Sequence, residues 1–182
     1  MRQGALYIIQ FVAELINDPD YAIFSQDDIL ASLDTWRVEA TQGNLRGIPR
    51  RTSSGIQYAA YASPPRWEYW ETDVLIEDVA YTPVAPDVND YRNGRFEFTL
   101  PRSTPRLLIS GFSHDPYAAA FSLMTSRAGQ LAEDLQSFST QNGSFTYASK
   151  SAGVNAQETK YWAMSRAAYG SIDVVRTDVN IF

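Results

Sequence analysis

Apolar residues repeat at helical spacing at both ends of this chain and lose that period in between. This change of period restricts the fold more than any other feature. In Ala5–Ile16 the side chains Leu6, Ile9, Val12, Ala13 and Ile16 fall on one stripe, and Asn17-Asp18-Pro19-Asp20 stops the helix. Ser25 is placed to cap a second helix, with Asp28 three residues on approximating a capping box. Its apolar face is Ile29, Leu30, Leu33 and Trp36. From about Glu39 to Ser110, glycines and the prolines 49, 64, 65, 83, 86, 101 and 105 punctuate short extended runs. The best strands there are Thr72–Val79, Gly94–Leu100 and Arg106–Ser110. Asn93-Gly94 is a turn signal, Phe96 and Phe98 alternate with polar neighbours, and Val84–Arg92 reads as an acidic loop or hairpin tip.

Helix resumes through a fully specified junction, Gly111-Phe112-Ser113-His114-Asp115-Pro116. Gly111 permits a turn, Asp115 can cap, and Pro116 suits the first helical position, where no amide donor is needed. The helix is predicted to run to about Glu133, and the triplet Ala118–Ala120 lets another backbone approach it closely. Phe138–Lys150 reads as extended or looped, Val154–Tyr169 as a last helix ended by Gly170, and Ser171–Phe182 as an extended strand. The pattern predicts an α+β chain with a four-helix core interrupted by a β-rich module. Residues 1–40 supply the first helical pair, 41–113 the β module, 114–170 the completing helices and 171–182 an extended arm.

Composition narrows the function. The apolar run Ala5–Ile16 is too short to span a bilayer and no small-residue cleavage site follows it, so neither a membrane anchor nor a signal peptide is expected. The absence of cysteine excludes disulfides, thiolate catalysis and Cys-ligated metal, and suits a cytosolic origin. A net charge of −6 and a pI near 4.7 argue against a chain that grips DNA as a whole. Aromatics at 13% are abundant, and such rings are favoured at protein interfaces.

Few residues suggest chemistry. His114 is the sole histidine; His114-Asp115 has the form of a base and its orienting acid, yet it lacks the partners of a triad. The bland assignment is that Asp115 caps the helix while His114 fills the turn before it. Glu68, Glu71, Asp73, Glu77 and Asp78 surround Trp67 and Trp70, as in a glycosidase groove or a calcium cage. Strand alternation would place them instead on a solvated face, and no calcium-loop motif is present. Arg46, Arg50 and Arg51 form the basic cluster; Arg50-Arg51 before Thr52-Ser53-Ser54-Gly55 reads as a charged, flexible loop, by the whole-chain charge balance a solvated loop tip, with contact to nucleic acid or an acidic partner as the alternative. It lacks the lysine and spacing of a phosphate-binding loop.

Four motifs in order resemble those of tailed-phage head-to-tail connector proteins, also called head completion or adaptor proteins. Trp70-Glu71-Thr72-Asp73-Val74-Leu75-Ile76 resembles their Trp-Glu-x-Asp-Val strand, and Asn93-Gly94-Arg95-Phe96-Glu97-Phe98 their Asn-Gly-x-x-x-Phe strand. Gly111 to Ala120 is similar to their Gly-x-x-Tyr-Asp-x-Tyr-Ala-Ala-Ala junction. Phe138-Ser139, then Gly143-Ser144-Phe145 and Ser149, resembles the pattern ahead of their last helix. The chain departs where His114 replaces tyrosine, where Phe121 follows the alanines in place of an acid, and in longer N-terminal loops.

The resemblance covers about residues 65–170. It implies a homo-oligomeric ring, usually of twelve copies, in the virion neck beneath the portal, assembled in the bacterial cytoplasm. The ring would extend the DNA channel, let genomic DNA pass without specific binding, and offer a platform to neck or tail proteins. It implies no catalysis, no cofactor and no membrane.

On this reading the arm would add a strand to a portal sheet edge through Val174, Arg176, Val179, Asn180, Ile181 and Phe182. A strand closing this chain's own sheet remains the alternative for that segment. Trp67, Tyr69, Trp70, Arg50 and Arg51 would meet the next subunit or a partner. A second class of function, a carbohydrate- or peptide-binding module, would use Trp67, Tyr69 and Trp70.

Overall fold

The computed structural model describes residues 2–65, 67–137 and 148–165. A 3-10 turn, Gln3–Ala5, leads into helix α1 (Leu6–Leu15), and α2 (Gln26–Thr35) follows. Ser25 caps α2 through the full capping box with Asp28. Asp18 organises the connection between them, its carboxylate accepting from the amides of Ala22, Ile23 and Phe24. Six strands follow: β1 (Val38–Thr52), β2 (Gly55–Ala62), β3 (Leu75–Glu77), β4 (Val88–Asp90), β5 (Arg95–Arg102) and β6 (Arg106–Ser113). Helices α3 (Pro116–Ser137) and α4 (Ala148–Met164) complete the order.

The fold is mixed α+β, with four α-helices and one antiparallel sheet in the order β3-β6-β1-β2-β5-β4. Two apolar cores result. One lies among the helices, where Ile8, Ile9, Val12, Leu33, Leu123 and Tyr161 are buried together. The other lies under the sheet around Leu45, Tyr61, Trp70, Phe96, Leu107 and Ile109. Among the described residues no helix is long and apolar enough to cross a membrane.

The sheet differs from expectation in its centre. The segment read as loops holding Arg50-Arg51 is a long hairpin, β1 with β2, turning at Ser53-Ser54 between the paired Thr52 and Gly55. Its glycines are sites of close approach, not breaks. A Cβ on Gly43 would come within 2.9 Å of the Trp67 ring, and one on Gly47 within 2.8 Å of the Pro105 carbonyl. Pro49 sits at the register shift of the β1–β2 pair and past the last β6 partner, where a missing amide donor costs little.

The predicted strand Thr72–Val79 shrinks to Leu75–Glu77, because Asp78 turns the chain by accepting from the amides of Ala80 and Thr82. The supposed loop Val84–Arg92 contains β4, paired with β5. Helix α4 begins at Ala148, inside a segment read as extended. Gly170 and the arm 171–182 lie outside the described residues.

Candidate functional site

Trp70 sits where the segment 70–76 meets the junction 111–120, in the same core cluster as Phe96 and Phe98. Its amide donates to Tyr91 O at 2.9 Å, its indole Nε1 to Trp67 O at 2.8 Å, and its own carbonyl accepts from Tyr7 Oη at 2.7 Å. Trp70 also forms a bridge with Ser113, while the amides of Glu71 and His114 donate to Phe112 O and Tyr69 O. The junction behaves as its residues predict. Gly111 has φ 151°, and a Cβ there would stand 2.8 Å from Val74 Cγ1. Asp115 accepts from the amide of Ala118 at 3.1 Å, with Pro116 opening α3. Ala118, Ala119 and Ala120 are fully buried, and α2 comes close enough for Ser32 Oγ to donate to Ala119 O at 3.0 Å.

Sequence reasoning missed the buried Glu71–His114 contact beside this junction. Glu71, expected on a solvated face, is buried, with its Oε1 2.8 Å from His114 Nε2. Their side-chain exposures of 1% and 0% shut both away from any substrate. Arg2 Nη1 lies 3.2 Å from the same carboxylate and also pairs with Asp34. His114 Nδ1 faces Leu33 O at 3.4 Å, and the guanidiniums of Arg2 and Arg37 lie over Phe112. The partners are far apart in sequence, so no local spacing announces them. The arrangement ties the start of the chain, the end of α2, the segment before β3 and the β6–α3 junction to one another.

The aromatic trio is corrected by burial. Trp70 has no exposed surface and Tyr69 only 6%, so neither is presented to a sugar, a peptide or a neighbouring subunit in this fold. Tyr69 stacks on Phe11 at 5.2 Å and meets Tyr117 edge-on. Burial pushes the phenols of Tyr7 and Tyr69 well above their ordinary value. Trp67 is half-buried, 5.9 Å from Trp70, and retains some open surface. Arg50 and Arg51 are exposed near the hairpin turn, roughly 20 Å along β1 from Gly43, where Trp67 packs. The five residues therefore do not form one surface.

An apolar groove of about 390 Å³ opens elsewhere, lined by Val74, Leu75, Ile76, Pro83, Val84 and Tyr91 among others. It lies beside β3 and the chain leading into β4, which are joined by the Val84 amide donating to Ile76 O and by a Glu77–Pro83 bridge; β3 and β4 are the outermost strands of the sheet. Leu75, Val79, Tyr81 and Val88 lie exposed along these segments. Among the described residues no group of three or more His, Asp or Glu side chains is placed to hold a metal ion. The arm residues Val174, Arg176, Val179, Asn180, Ile181 and Phe182 lie outside the described residues. Comparison with family models, with curated proteins and with solved structures returned no match for this chain.

Proposed function

We propose that this protein is a head-to-tail connector of a tailed bacteriophage, a structural ring subunit between the portal and the neck or tail. The observation that carries this reading is the packing of three resembling motifs into one core: Trp70 of 70–76 bridges Ser113 of 111–120, and Phe96 and Phe98 of 93–98 are buried in the same cluster as Trp70. Shared packing gives a reason for such motifs to keep their order and spacing together. The exposed apolar surface at β3 and β4 also supports a protein that works by being covered, since contiguous patches of this kind mark interaction sites. A closed ring needs two different faces on each subunit that fit one another head to tail.

The arm 171–182 would anchor the ring by adding a strand to the portal, and the platform away from the portal would receive the next neck protein. Nothing in this function makes or breaks a bond. The alternative of a sugar- or peptide-binding module is disfavoured by the burial of Trp70 and Tyr69.

The test is native mass measurement and negative-stain microscopy of the protein alone and mixed with the cognate portal ring. A ring of added density at the portal's tail-side face, with several copies per portal, is the expected outcome. A protein that leaves the portal's mass and image unchanged would sink the proposal. Removing residues 171–182 should abolish docking while leaving the described fold intact; normal occupancy after truncation would show that the arm is not the anchor.

A further inference from the structure

Positive charge in this acidic chain is gathered at one end of the sheet. Between Ala40 and Trp67, and again between Phe98 and His114, there is no Asp or Glu. Arg46, Arg50, Arg51, Arg102 and Arg106 fall in those stretches, and strand pairing brings them together. Arg46 is the partner of Arg106 across β1 and β6, Arg102 is the partner of Tyr58 across β5 and β2, and Gly47 donates to Pro105 O. Past Tyr58 no strand among the described residues flanks the hairpin. Residues 50–57 therefore project as a two-stranded ribbon, about 10 Å long, ending in Thr52-Ser53-Ser54.

Alternation along the strands puts Arg46, Arg50 and Arg106 on one face of this end, and Arg51 and Arg102 on the other. Arg46, Arg50, Arg51 and Arg106 are exposed, and none of the five joins an ion pair among the described residues. Arg102 lies over the Phe98 ring at 4.6 Å, with its Nε buried and without an acceptor.

We infer that the β1–β2 hairpin is a contact arm for the sugar-phosphate backbone of duplex DNA, independent of sequence. Three features favour phosphate over an acidic protein surface. Every cation is arginine, whose planar fork matches phosphate oxygens. The turn carries the hydroxyls of Thr52, Ser53 and Ser54, a group type that contacts phosphate without charge, although Thr52 Oγ1 donates to Gly55 O and lies 3.0 Å from Ser54 Oγ. Above all, Arg50 and Arg51 lie on opposite faces of the narrow ribbon, with Arg46, Arg106 and Arg102 at its base. A flat acidic partner would meet one face, whereas a DNA groove admits a two-stranded ribbon and presents a wall of phosphates on each side. The negative charge of the rest of the chain keeps the contact weak and local, which suits DNA that must move past. This inference does not require the ring: a monomer carries the whole arm.

The experiment is fluorescence anisotropy of the full chain with a labelled duplex of about 20 base pairs and arbitrary sequence. Four or five neutralised phosphates predict binding at about 50 mM salt that weakens by about two orders of magnitude at about 200 mM. R50E/R51E should weaken binding at least ~10-fold and flatten the salt slope by about 2. R50Q/R51Q should weaken it less, and Lys160→Glu on α4 should leave it unchanged, all with unaltered circular dichroism. Three results would overturn the inference: no wild-type binding at the lower salt, variants that bind as tightly as wild type, or an equal loss in Lys160→Glu. A fourth is a change of oligomeric mass in R50E/R51E with DNA affinity retained, which would assign the hairpin to contacts between copies.

Discussion

An imidazole and a carboxylate, both out of solvent, hold four stretches of this chain against one another. Glu71 has two nitrogen partners, the His114 imidazole and the Arg2 guanidinium, which replace the hydration it gives up. Removing His114 leaves the buried carboxylate with Arg2 alone, and a buried group stripped of one partner costs more than the contact itself contributes. His114→Ala should therefore lower unfolding free energy by about 3 kcal/mol in urea titration. Glu71→Gln keeps an acceptor facing His114 and should cost less; equal losses would show that packing volume matters more than the polar contact. At this scale the sequence was legible only for local chemistry. The Asp115 cap and the Ser25 capping box act within one turn, so spacing reveals them. The Glu71–His114 contact joins residues forty-three apart, and no spacing rule reaches it.

Among the elements, the helices were legible and the central hairpin was not. Helix α1 displays its stripe because one face meets the core and the other meets water. Strand β1 buries only Ala40, Leu45 and Gly47 of its residues, too few and too irregularly spaced to signal a strand. Its glycines imitate loop punctuation while serving close contacts with Trp67, Tyr58 and Pro105. The α2–α3 contact, by contrast, follows directly from the alanine triplet. Ala119→Leu should force the two helices apart and destabilise the fold by about 2 kcal/mol in thermal or urea unfolding. Gly129→Ala, on the same helix with nothing within 4 Å of the new Cβ, should stabilise it by up to about 1 kcal/mol. If both substitutions destabilise, the helix is not packed as described.

The whole molecule joins a helical core to a sheet core across a seam of tyrosines. Tyr7 on α1 donates to Trp70 O in the sheet layer, and Tyr69 lies against Phe11 and Tyr117. Burial raises both phenols above the ordinary value of 10.0, so the folded state holds them neutral while the unfolded chain releases their protons more readily. Their contribution to stability is complete below pH 10.0 and is lost as pH rises through that value toward the folded-state one. Unfolding free energy should therefore fall steadily in alkaline solution above about pH 10, and Tyr69→Phe should make that decline shallower. Chemical denaturation at a series of alkaline pH values reads this directly. An unchanged slope in Tyr69→Phe would mean that its phenol titrates freely in the folded protein.

The one-dimensional pattern was sufficient for whatever depends on neighbours within a helical turn: the existence of four helices, the Ser25 and Asp115 caps, the break between helical and extended regions, and the α+β class. It was insufficient for whatever depends on distant chain segments meeting. Whether Trp70 stands in solvent or core, whether Glu71 is hydrated or paired, and whether Gly47 ends a strand or lets Tyr58 pass are decided by atoms contributed from elsewhere. The same holds for the arginine-rich end of the sheet, where two stretches that each look like a loop become adjacent only through strand pairing. Local propensity is set by the chain next door, but burial and charge environment are set by the packed whole.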